Sequence, residues 1–211
     1  MYIKNRILNN FFSLGLAAFV CASIIMTAMP INANAETETR ELNNIVIINN
    51  DTGETYTIDS DSADSHVVVN EDGSIDKTII ADITIPQPKT RNSVTDAGQT
   101  VRVTVDVSYQ SSGSMYKMTS VTGSFTVLDS SFSISNRMVK IGNYDNSDWS
   151  RVYTYYPGGS FAYYFNYWVD SAYVPCIVGA YAQCTMSRGG SSWSVRCNNF
   201  PVYNDAGFGF F

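Results

Sequence analysis

The sequence predicts an all-β fold, an antiparallel β-sandwich of Ig-like or jelly-roll-like type with about seven to nine strands. Three observations predict it. From Val101 to Tyr109 apolar and polar residues alternate strictly, the two-residue period of a strand with one buried face. Short apolar runs elsewhere are separated by Gly, Asp, Asn and Ser clusters, which favour turns. No window of about a dozen residues beyond Ala35 repeats with the helical period.

The first 35 residues read as an export signal. Lys4 and Arg6 precede an apolar stretch from Phe11 to Met29, and Pro30 and Ala33-Asn34-Ala35 follow it. A basic start, an apolar middle and an A-x-A end make a cleaved secretory signal, with cleavage expected after Ala35. The alternative is an uncleaved anchor, because the apolar run approaches the roughly 20 residues that span a bilayer. Cys21 follows the bulky Phe19 and Val20, where a lipoprotein signal would need small residues. The expected protein is therefore secreted, without stable membrane insertion. Such a chain is similar to secreted bacterial proteins in general, a likeness that implies a bacterial source and no activity.

The expected organisation is a signal over 1–35, an acidic segment over 36–98 and a β-sandwich over 99–211. The chain beyond Ala35 carries 19 acidic and 11 basic residues, a net charge of −8. Nucleic acid is an improbable partner for such a balance, since phosphates demand Lys/Arg clusters. Between Glu36 and Asp76 the net charge is −10. Two β-hairpins are legible within that stretch. Ile45 to Ile48 leads through Asn50-Asp51-Thr52-Gly53 to Tyr56 to Ile58, and Val67 to Val69 through Glu71-Asp72-Gly73 to Ile75 to Ile85. The Asp59 to Ser65 stretch is polar, Pro86-Gln87-Pro88 ends the second hairpin, and Lys89 to Gly98 reads as a linker. This segment is expected as hairpins or a partly disordered lead.

After the strand at 101–109, Ser111 to Ser114 turns the chain. A return strand carries Val121, Phe125 and Val127, with Gly123 marking a bulge. Further strands are expected over 132–135, 138–141, 149–156, 161–169, 177–187 and 193–197.

Three cysteines follow the signal: Cys176, Cys184 and Cys197. An odd count in an exported chain leaves one unpaired or paired between chains. A four-residue loop over 189–192 sets Arg188 opposite Trp193 and Cys184 opposite Cys197, close enough at Cβ for a disulfide. Other loop lengths displace the pair, leaving two buried thiols. Cys176 is then the free thiol. No CxxC or His cluster accompanies them, so no zinc site is expected.

No catalytic constellation is present, and neither an enzyme nor a cofactor is expected. His66, the single histidine, closes a polar stretch rather than standing between a nucleophile and a carboxylate. Asp51-Thr52-Gly53 resembles the tripeptide around the catalytic carboxylate of aspartic proteases, but the resemblance covers three residues and a turn accounts for them. Asp59-Ser60-Asp61 begins like a calcium loop and continues wrongly, with Ala63 and Asp64 where a ligand and a glycine belong. Asn143, Asp145, Asn146 and Asp148 form a second oxygen-rich loop, read as a turn, and no metal is assigned.

The most informative stretch is the aromatic one from Trp149 to Tyr173. On the strand at 161–169 the odd positions Phe161, Tyr163, Phe165, Tyr167 and Val169 make an apolar face. The even positions carry Tyr164, Asn166, Trp168 and Asp170. Two rings four residues apart sit about 13 Å from each other, a spacing suited to successive units of an extended ligand. Rings beside amide and carboxylate groups suit sugars. Tyr164, Asn166, Trp168 and Asp170 are therefore the candidate ligand-binding residues of a non-catalytic extracellular module, its partner a carbohydrate or other cell-surface ligand. The alternatives are a structural or self-associating protein that buries this face between subunits, and a β-hairpin pore former built on the alternating pair from Gln99 to Leu128.

Overall fold

The computed structural model describes residues 40–59, 64–83, 100–205 and 210–211. The signal, the linker expected over Lys89 to Gly98 and most of the Asp59-Ser60-Asp61 motif lie outside them. Eleven strands are present and no helix occurs among the described residues. They are β1 (Arg40–Asn49), β2 (Thr55–Asp59), β3 (Asp64–Val69), β4 (Ile75–Ile83), β5 (Val101–Ser112), β6 (Met115–Val127), β7 (Ser133–Tyr144), β8 (Val152–Tyr155), β9 (Ser160–Asp170), β10 (Cys176–Arg188) and β11 (Ser191–Asn204). They form two antiparallel sheets, in the orders β2-β1-β11-β10-β7-β8 and β3-β4-β5-β6-β9.

Both acidic hairpins form at the expected places. Each is built into a sheet: β1 pairs with β11, and β4 pairs with β5. The reason is apolar patterning. Ile45 and Ile47 on β1, and Ile79, Ala81 and Ile83 on β4, are buried beside Val101, Val103, Val105 and Val107 of β5. Alternate residues of both sheets contribute to one continuous hydrophobic cluster, which removes those side chains from water at roughly 25 cal/mol per Å².

Two places show how backbone chemistry sets register. The β7 strand runs through what the sequence divides into two, because Asn136 takes a positive φ of 50° and absorbs a bulge opposite Gln183 and Thr185. Asparagine tolerates that conformation better than most residues. In β11 the pairing slips by one residue against both neighbours, between Phe200 and Tyr203 facing β1 and between Asn199 and Val202 facing β10. Pro201 sits inside both slips, where its missing N–H costs no ladder bond.

The β10–β11 turn corrects the cysteine geometry. Gly189 and Gly190 both take positive φ, 58° and 92°, as the two central residues of a type I′ hairpin require. The loop therefore has two residues, Arg188 pairs with Ser191, and Cys184 faces Val195 while Cys197 faces Ala182. The thiols that a four-residue loop would align are diagonal neighbours. Cys176, Cys184 and Cys197 are all free and buried, and burial pushes each thiol pKa up to about 12.

Candidate functional site

The aromatic residues singled out in the sequence fall on β9, the last strand of the five-stranded sheet. Val169 and Phe161 point into the core, at 1% and 7% exposure. On the opposite face Tyr164 is 79% and Trp168 43% exposed, and Asn166 is exposed beside them. Asp170 is half-buried at the strand end. The alternation thus delivers both rings to solvent. Eight aromatic residues among the described residues are well exposed, and six of them (Trp149, Tyr156, Tyr164, Tyr167, Trp168 and Tyr173) lie in this one stretch.

The inward rings of β9 hold it against the other sheet. Tyr163 stacks on Tyr155 of β8 with centroids 3.9 Å apart, and Phe165 meets Tyr153 at 5.4 Å. Burial raises the Tyr163 hydroxyl pKa, with Tyr155 adding to the effect. Tyr167, at the rim of the same face, lies under the Arg151 guanidinium at 4.5 Å. Aromatic pairs of this kind are worth about 0.5–1.5 kcal/mol beyond their buried area.

The pairing of β5, β6 and β9 shapes the outer face. Ser108, Ser120 and Tyr164 stand opposite one another in one row, and Gln110, Lys117 and Trp168 in the next. Because a bulge is added at each ladder, the rows are two residues apart on β5, three on β6 and four on β9. At about 3.3 Å per residue they diverge from about 7 Å at the serine and glutamine end to about 13 Å at the rings. Thr119, the unpaired residue of the bulge on β6, donates its hydroxyl to Ser108 O at 3.1 Å, which holds the bulge. Lys117 holds its Nζ 5.9 Å from the Trp168 ring centroid, a cation–π arrangement.

Sequence reasoning missed Lys117. It is separated from Trp168 by about fifty residues, and no local pattern indicates that β6 and β9 pair in this register.

The oxygen-rich loop serves structure. Asp145 Oδ2 accepts the Asp170 N–H at 2.9 Å, and its Oδ1 accepts the Ser147 N–H at 2.9 Å and the Ser147 hydroxyl. Burial opposes ionisation of Asp145, and these donors outweigh it, so its pKa is lowered. Asp148 accepts from the Ser150 hydroxyl and amide and pairs with Arg151. The carboxylates are thus committed to turn donors that also secure the end of β9. Among the described residues no group of three or more His, Cys, Asp and Glu is placed to hold a metal. His66 is exposed on the edge strand β3.

Part of the outer face of the six-stranded sheet is covered by Phe210 and Phe211. Phe210 packs on Tyr144, Tyr181 and Phe200, and Phe211 on Tyr181 and Tyr203. Lys140 donates to Phe210 O and lies 4.6 Å from its ring.

Fold and site together define an all-β protein of two antiparallel sheets with a solvent-facing aromatic strand at one edge. Comparison with protein-family models, curated proteins and solved structures finds no match to this chain.

Proposed function

We propose that this is an exported, non-catalytic binding module whose two sheets form a β-sandwich, and which takes a carbohydrate or other cell-surface ligand on the outer face of β9 through Tyr164, Asn166, Trp168 and Asp170. The observation that carries the reading is the exposure of Tyr164 and Trp168 on one face, at 79% and 43%. A contiguous exposed aromatic surface is uncommon on a soluble protein and marks interaction sites. A sugar ring stacks its C–H face on each indole or phenol, while amide and carboxylate groups reach its hydroxyls. On the outer face of the six-stranded sheet, by contrast, Phe210 and Phe211 pack on Phe200 and Tyr203.

The test is a glycan array probed with the mature chain. Binding is expected, and Trp168→Ala should abolish it while circular dichroism stays that of the folded protein. A blank array that includes polysaccharides overturns the proposal.

A second reading is self-association through the same strand, favoured by β9 lying at the end of its sheet with one edge unpaired among the described residues, the situation in which strands recruit other strands. Light scattering decides it: a strict monomer at high concentration removes it. The pore-forming alternative has less support, because the apolar face of the β5–β6 hairpin, Val101 to Val107 with Val121, is fully buried in the core.

A further inference from the structure

We infer that the ligand of the β9 face carries a negative charge, a uronate, sialate or sulfate group seated on Lys117. This inference rests on the binding reading above and narrows it to a substrate class.

Among the described residues, two cations from Lys and Arg stand on the outer face of the five-stranded sheet. Arg102 is forked onto Asp82, with Nε to Oδ1 at 2.6 Å and Nη2 to Oδ2 at 2.8 Å. Lys117 has no carboxylate partner among the described residues; its contact is the Trp168 ring. Several acidic groups on this face accept hydrogen bonds from within the chain. Asp106 accepts from the Thr78 hydroxyl, and Asp76 from the Asn70 amide. Asp170, the diagonal neighbour of Lys117, accepts the Ala172 N–H at 3.0 Å. In a chain this acidic, a lysine left over an aromatic ring at the candidate site is the anomaly.

The ring and the ammonium then work as a unit. A sugar that stacks on Trp168 displaces Lys117 from the ring and forfeits the cation–π contact. A neutral sugar offers no replacement beyond a hydroxyl, whereas an anionic group takes up the displaced ammonium. Gln110, next in the same row, supplies an amide donor to the same group. Because the rest of the face is acidic, one charged group per binding unit fits better than a dense polyanion.

The experiment uses the mature chain on an array in which each uronate-, sialate- or sulfate-bearing glycan is printed beside its uncharged parent. Calorimetry on the best hit then compares wild type with Lys117→Gln. Charged members should bind about fivefold more tightly than their parents, the scale of an exposed ion pair. Raising the salt from about 0.05 M to 0.5 M should erase the difference, and Lys117→Gln should erase it as well, with the neutral parents binding no more weakly than to wild type because they no longer forfeit the cation–π contact. Equal binding of charged and neutral members overturns this inference and leaves the binding module intact. A preference that survives Lys117→Gln also overturns it. No binding to any glycan removes the module reading and this inference with it.

Discussion

Asn199 of β11 donates its side-chain amide to the Val105 carbonyl of β5 at 2.9 Å, with a second bond to the Lys77 carbonyl of β4 at 2.7 Å. One fully buried side chain thus ties the six-stranded sheet to two strands of the five-stranded one. Replacing it leaves buried carbonyls with a donor removed, at a cost of about 1–3 kcal/mol. Asn199→Ala should lower the unfolding free energy by that amount, read as a lower urea midpoint at unchanged slope, without changing the spectrum of the folded state. An unchanged midpoint would falsify the role of this bond.

Lys77 makes a second tie between the sheets. It lies inward on β4 at 4% exposure and meets Glu41 of β1 at 2.5 Å. Glu41 is more than half exposed, so solvent screens the pair and its loss is modest. Glu41→Gln should destabilise by about 1 kcal/mol, because it strands a buried ammonium. Lys77→Met should cost less than Lys77→Ala, since it fills the same space without the charge. Thermal denaturation of the three variants gives the order.

The acid limb of stability should trace to Asp82 and Asp145. Hydrogen bonding and charge from Arg102 lower the Asp82 pKa, and the donors around Asp145 lower its own against the pull of burial. Folded values below the unfolded one of about 3.9 mean stabilisation that is complete above that pH. It is lost as pH falls through the folded values. Asp145→Asn should weaken the fold at pH 7 and flatten the decline of stability below about pH 4. An acid decline as steep as that of wild type would remove Asp145 from this account.

The thiols should be silent in the native state. All three are buried, and each has its pKa pushed up to about 12 by burial, which suppresses the reactive thiolate. A thiol-specific dye should label none of Cys176, Cys184 and Cys197 until denaturant is added, and all three afterwards. Intact mass should match the reduced chain. A deficit of two hydrogens would show a disulfide after all, and peptide mapping would say whether it joins Cys184 and Cys197.

The sequence carried much of this fold. The alternation from Val101 to Tyr109, the two Asp/Gly hairpins and the faces of β9 were all legible, because a strand's period is local and one-residue slips would expose its apolar set. The cysteine register was not legible. It depended on whether Gly189-Gly190 closes a two-residue turn or belongs to a longer loop, a choice settled by positive φ at both glycines.

By itself, then, the sequence determined that the chain from Val101 onward is β in character and that Tyr164 and Trp168 share a face away from Phe161 and Val169. Only the tertiary structure decided which strands are neighbours. It placed the acidic hairpins in both sheets, Lys117 against Trp168, and Asp145 at the end of β9. The physical reason is that side-chain direction follows from a two-residue repeat, whereas strand pairing is selected by long-range burial and by bulges that no local pattern encodes.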